Sequence, residues 1–262
     1  MTSSPAIPTI TLNNGVEIPQ IGFGVFQVPN AETEAAVTAA LEAGYRSIDT
    51  AAVYGNEQGV GRAIAKSGLP RDELFITSKL WNSDQGANAP RAFEETLVKL
   101  GLDQLDLYLI HWPTPARNLY LQSWEALEDI AARGLSRAIG VSNFLPVHLD
   151  HIVGLGGTVP ALNQIELHPA LQQRELVAAN DAHGIATEAW SPLAQGAMLT
   201  NPVIVELARA VGRTPAQVIL RWHLQEGRII IPKSVTPARI AENIALFDFE
   251  LDSAAIEAIA TL

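Results

Sequence analysis

The sequence predicts a (β/α)8 barrel with an N-terminal β-hairpin and added helices. Three observations predict it. Short apolar runs recur eight times, helical stretches separate them, and the 262 residues match the about 250 that such a barrel needs. Strand–helix alternation implies parallel pairing through right-handed crossovers. An open doubly wound sheet shares that alternation, but no Gly-x-Gly-x-x-Gly opens a helix after any strand. Ile21-Gly22-Phe23-Gly24-Val25-Phe26 has only the first two glycines.

The opening Thr9–Pro19 reads as a hairpin. Ile10 and Leu12, then Val16 and Ile18, flank the turn residues Asn13-Asn14-Gly15. The eight strands are expected at 21–24, 45–49, 74–79, 105–111, 136–142, 160–165, 185–190 and 227–232. Helices are expected over 31–43, 57–66, 88–100, 118–133 and 174–183, with stops at Gly44, Gly68, Gly101, Gly134 and Gly184. Segments 201–212 and 214–226 add one helix more than the repeat needs, and a last helix occupies 252–262. With no linker or low-complexity stretch, residues 1–262 read as one domain, its hairpin segment being 1–19.

Composition removes several function classes. The chain is 48% hydrophobic and 17% charged, which suits a large core and excludes a disordered or collagenous chain. It contains 0 cysteines, so disulfides, thiolate metal sites and a cysteine nucleophile are excluded. A net charge of −11 argues against nucleic acid or an anionic membrane as partner. No apolar run approaches the ~18 residues of a membrane span, and Met1-Thr2-Ser3-Ser4-Pro5 does not resemble a secretory signal. A cytoplasmic location is expected.

In a parallel barrel the chemistry sits at the C-terminal strand ends. Three successive strands end on ionisable side chains, Asp49, Lys79 and His111. Lys79 is one of four lysines and lies in the apolar run Leu74–Trp81, where an ammonium needs a counter-charge. Asp49 is the natural partner. Tyr54, five residues on, lies in the loop that should overhang the same mouth. A phenol is a poor acid–base near neutral pH, and a nearby ammonium is expected to bring its pKa down towards the working range. His111 would donate a hydrogen bond to a substrate oxygen. Glu166, His168 and Asp49 could together bind a metal, but the tight His-x-His pairs of barrel metallohydrolases are absent, and no metal is expected. Between Arg209 and Arg239 lie six basic residues and one acid, Glu226, a local +5 in a chain of −11. Lys233, just beyond an apolar strand end, is best explained by an anion.

These residues form long motifs: Gly44-Tyr45-Arg46-Ser47-Ile48-Asp49-Thr50-Ala51-Ala52-Val53-Tyr54-Gly55-Asn56-Glu57, Ile76–Trp81, Asp106–Pro113, Ile139–Phe144 and Ile231–Val235. Over nearly the whole chain the sequence resembles the aldo-keto reductases. Within them it most resembles the bacterial 2,5-diketo-D-gluconate reductase branch, through 22–29, 77–82 and 163–169. The resemblance implies NADPH-dependent reduction of aldehydes and ketones, among them small carbonyls, α-dicarbonyls and keto sugar acids. It makes Tyr54 the general acid–base, tuned by Lys79 and Asp49, with His111 orienting the carbonyl. Ser142, Asn143 and Gln164 would hold the nicotinamide carboxamide, and Trp190 would stack on its ring. Ser191, Leu193, Gln195 and Gly196 would wrap the pyrophosphate. Lys233, Ser234 and Arg239 would take the 2′-phosphate, with Glu242 and Asn243 near the adenine. Phe26, Trp81 and Trp112 would line the substrate pocket.

Two departures stand out. Thr236 occupies a position where such reductases often carry another base, and Leu262 follows directly on the last helix, where a pocket-covering segment is usual. An open pocket is therefore expected; a small-molecule carbonyl as partner and a monomer are expected as well. Two other functions fit parts of the pattern: a cofactor-binding regulatory module, and a Schiff-base aldolase using Lys79.

Overall fold

Residues 7–262 are described by the structure, a computed structural model. The first six residues of the expected 1–19 segment lie outside them. Thr9–Thr11 (β1) and Glu17–Pro19 (β2) pair antiparallel with Ile10 opposite Ile18, closed through Leu12 N–H to Val16 O at 2.8 Å. The parallel strands are Phe23–Gly24 (β3), Ser47–Asp49 (β4), Phe75–Leu80 (β5), Leu105–Ile110 (β6), Ser136–Ser142 (β7), Leu162–Glu166 (β8), Ala186–Trp190 (β9) and Ile229–Ile230 (β10). They pair in chain order from β3 to β10. A parallel bridge between Ile21 and Ile230 closes the barrel.

Helices return the chain between strands: Asn30–Glu42 (α1), Glu57–Ser67 (α2), Ala89–Leu100 (α3), Tyr120–Ala132 (α4), Pro146–Val153 (α5) and Arg174–Ala182 (α6). Pro202–Val211 (α7) and Pro215–Gln225 (α8) form the expected double crossover, followed by Pro237–Ile244 (α9) and Ser253–Ala260 (α10). Each expected glycine stop has a left-handed backbone, Gly101 at φ 67° among them. Most boundaries shift by a residue or two, β10 for example covering only Ile229–Ile230 of the expected 227–232. The fourth helix begins at Tyr120 rather than near 118, because Thr114 and Asn118 adopt left-handed conformations around a short turn at Pro115–Arg117.

The barrel interior is filled in two unlike halves. Leu12 and Ile18 of the hairpin pack against Phe75, Leu107, Leu109, Ala138, Leu162 and Ile229, plugging the N-terminal end with hydrocarbon. Side chains two apart on a strand share a face. The inward set therefore continues to Lys79 on β5, His111 after β6, Ser142 on β7, Gln164 on β8, and Glu188 then Trp190 on β9. One parity carries the sealed floor and the polar mouth alike.

Candidate active site

Lys79 and Asp49 come together at the centre of the mouth. Lys79 Nζ donates to Asp49 Oδ1 at 2.6 Å and to Thr50 O at 2.9 Å, and the two residues are 0% and 3% exposed. Nζ also lies 5.2 Å from the Tyr54 ring centroid. Burial works against the ammonium. The Asp49 charge, with help from Tyr54, outweighs it and holds the Lys79 pKa above its ordinary value. Tyr54 itself lies on a single 3-10 turn, Ala52–Tyr54, ended by left-handed Gly55.

The sequence expectation for Tyr54 is corrected here. Its pKa is raised, not lowered: burial dominates, and the carboxylates of Asp49 and Glu188 offset the pull of Lys79. An ammonium already paired with a carboxylate presents the phenol with little net field. Tyr54 is therefore held as a phenol, the form that donates a proton.

His111 completes the triangle. Its ring centroid lies 5.7 Å from Tyr54 and 5.1 Å from Trp81, and Phe26 lies 5.1 Å from Tyr54 on the other side. Burial, then the Lys79 charge, push the His111 pKa down to about 3. The imidazole is neutral and carries one N–H. Phe26 and Trp112 are half exposed, as befits walls of an open mouth. Gln85 Nε2 donates to Trp112 O at 2.6 Å and fixes that loop.

The ends of β6 to β9 interlock beside this cluster. Asn143, with left-handed φ 61°, donates to His111 O and to Ser142 Oγ, both at 3.0 Å, and accepts Trp190 Nε1–H at 2.9 Å. Ser142 Oγ donates to Gln164 O at 2.8 Å. Gln164 Nε2 donates to Asp49 Oδ2 at 2.8 Å and to Glu188 Oε2 at 2.7 Å. Both amide hydrogens of Gln164 face these carboxyl oxygens, and its Oε1 remains available as an acceptor.

Sequence reasoning missed Glu188. Burial, then the Asp49 charge, push its carboxyl up to about 8. A signal was available: Glu188 lies two residues before Trp190, hence on the same strand face.

Beyond β9 the chain forms a loop in which Ser191, Ala194, Gln195 and Gly196 all have positive φ, from 48° to 93°. Such strain clusters at ligand clamps, and such turns aim backbone N–H groups into anion-binding concavities. Of the six bases between 209 and 239, three are engaged: Arg213 with Asp248 at 2.7 Å, Arg221 with Glu250 at 3.3 Å and Arg228 with Glu226 at 3.2 Å. Among the described residues, Lys233 and Arg239 have no ion-pair partner, and both are exposed, with Ser234 buried between them. Glu242 accepts from Thr214 Oγ1 at 2.7 Å, which ties its carboxylate to the start of α8, and Asn243 is buried on the same helix. A flat indole, a left-handed loop and free cations in this order fit a dinucleotide phosphate. A wide groove between α2 and α3 lies at the opposite end of the barrel and contains none of these groups.

A closed parallel barrel with an Asp–Lys–Tyr–His cluster at its mouth defines a barrel oxidoreductase. The family model for the aldo/keto reductase family matches residues 20–262. The chain belongs to that family and is an oxidoreductase enzyme. An aldo-keto reductase of Mycolicibacterium smegmatis is 56% identical over 256 residues, covering 97% of this chain and 93% of that protein. Methylglyoxal reductase DkgA of Yersinia pestis is 53% identical over 257 residues, covering 97% and 93%. Among solved structures, an aldo/keto reductase from Brucella melitensis superimposes with a TM-score of 0.95 at 50% identity, covering 98% and 99%. A variant of Gox0644 in complex with NADPH does so with a TM-score of 0.94 at 46% identity, covering 98% and 93%.

Proposed function

We propose that the protein reduces small aldehydes and ketones, α-dicarbonyls among them, with NADPH. The observation that carries this reading is the buried Lys79–Asp49 pair beneath Tyr54 and beside neutral His111. NADPH, when bound, supplies the hydride. Trp190, Ser142, Asn143 and Gln164 orient its ring, the loop 191–196 takes the pyrophosphate, and Lys233, Ser234 and Arg239 take the 2′-phosphate.

The chain's residues do the rest. Phe26, Trp81 and Trp112 exclude water from one side of the carbonyl and offer it apolar surface. The imidazole N–H of His111 donates to the carbonyl oxygen and holds it near Tyr54. The phenol, kept protonated by burial, gives its proton to that oxygen as negative charge develops there. Lys79 then steadies the phenolate, and Asp49 keeps the ammonium in place. An aldolase reading fares worse. A Schiff base needs a neutral amine, and Lys79 is held charged by Asp49.

Relatives named as methylglyoxal reductases support an α-dicarbonyl as substrate. The half-exposed aromatic walls support a broad range with weak KM values, because little surface is buried per substrate. The test is a panel of carbonyl compounds with NADPH and with NADH, followed by loss of cofactor absorbance. Reduction of methylglyoxal and several unrelated aldehydes, faster with NADPH, is expected. Cofactor binding without turnover of any carbonyl would instead favour the regulatory-module reading.

A further inference from the structure

Glu188 has no part in the reaction as derived, yet it stands among the groups that do. It is 2% exposed on β9, opposite Gln164 on β8 and Ile229 on β10. One amide group bridges it to Asp49: Gln164 Nε2 lies 2.7 Å from Glu188 Oε2 and 2.8 Å from Asp49 Oδ2. Asp49 already holds the Lys79 ammonium, and those two charges cancel. A second carboxylate would leave the barrel interior with an uncompensated negative charge. The other titratable groups facing Glu188 are Asp49 on β4, Lys79 on β5 and Tyr54 beyond β4. β8 presents the uncharged Gln164, and β10 an isoleucine. Trp190, two residues on and on the same face, places the proposed nicotinamide stack over this cluster.

We propose that Glu188 is a positioning residue that reads the charge of the nicotinamide, staying neutral beneath the reduced ring and ionising beneath the oxidised, cationic one. The inference rests on the nicotinamide reading of the mouth. Its proton passes to solvent, not to substrate; Tyr54 remains the donor to the carbonyl oxygen. Burial holds the carboxyl up at about 8, so the proton is present at neutral pH and is displaced by a positive charge brought close. The consequence is directional. Above that range the ionised carboxylate favours the oxidised cofactor, and below it the neutral acid imposes no such bias.

The experiment measures Kd for NADP+ and for NADPH by tryptophan fluorescence from about pH 6 to about pH 9.5, in the wild type and in Glu188→Gln. In the wild type NADP+ should tighten relative to NADPH as pH rises, by about tenfold for each pK unit that the cationic ring lowers the carboxyl. In Glu188→Gln, which keeps the shape and a bond to Gln164, that ratio should be flat. A sloping ratio retained in Glu188→Gln, or none in the wild type, overturns the inference and leaves the cofactor reading intact. A wild type that binds neither nucleotide overturns both.

A second readout needs no cofactor. A carboxyl raised by folding contributes stability that is present below its unfolded value of about 4.5 and lost as pH rises through about 8. The Tm of Glu188→Gln should therefore gain on the wild type across that window, and a constant difference counts against the proposal. Should the variant fail to fold, wild type in weak buffer near neutral pH must release more protons on adding NADP+ than on adding NADPH. Equal release overturns it.

Discussion

Replacing Asp49 with asparagine leaves the Lys79 ammonium at 0% exposure with neutral acceptors only, Thr50 O and the amide oxygen that stands in for Oδ1, and no counter-charge. Removing one partner of a buried pair typically costs about 3–5 kcal/mol, because the surviving charge stays desolvated. For a chain of this size about 1 kcal/mol corresponds to roughly 2–4 °C. Asp49→Asn should thus lower Tm by on the order of 10 °C at neutral pH, read by calorimetry. The sign with pH follows from the lysine. In the wild type the raised Lys79 pKa contributes stability that is present below the ordinary value of 10.5 and is lost as pH rises through the folded value above it. In Asp49→Asn the lysine is depressed instead, so unfolded chains bind more protons and stability rises with pH. The deficit should narrow between neutral pH and about pH 10. Adding Lys79→Met to Asp49→Asn removes the orphan charge and should recover much of the loss. A Tm change of only 1–2 °C in Asp49→Asn (about 0.5 kcal/mol) would refute the reasoning, since the ammonium would then be solvated some other way.

Three further outcomes test the mouth. Tyr54→Phe removes one hydroxyl, and kcat should fall by ~10²–10⁴ while NADPH affinity, followed by fluorescence, hardly changes; near-normal turnover would remove Tyr54 from the reaction. His111 is neutral down to about pH 3, so the rate profile between pH 5 and pH 8 should contain no imidazole limb. A limb near pH 6.5 that disappears in His111→Gln would show that the ring is charged. Lys233→Ala should weaken NADPH roughly 10- to 150-fold, the worth of one charge-assisted hydrogen bond, and leave NADH unaltered, with the NADPH preference shrinking in salt. Equal weakening of both cofactors would mean that Lys233 holds the loop and does not read the phosphate.

Much of the molecule was legible in its residues. Alternating apolar runs and helical stretches carry the barrel, and the glycine stops carry most helix ends, because both signals are local and periodic. Asp49, Lys79 and His111 were legible as strand-end residues, whereas Ser142, Gln164 and Trp190 were legible only through the resemblance to the aldo-keto reductases. Adjacency across strands was not. Which side chains meet depends on how eight strands are staggered when Ile21 pairs with Ile230 and closes the barrel. Only that closure brings Gln164 between Asp49 and Glu188, residues 115 and 24 positions away along the chain. It also decides the charge states. The sequence places an ammonium near Tyr54, which alone would lower the phenol pKa. The tertiary structure sets two carboxylates and a shell of buried side chains around both, and the phenol pKa rises. Parity is a property of one strand, whereas burial and net field sum over every element around a group, and those sums exist only once the barrel is closed.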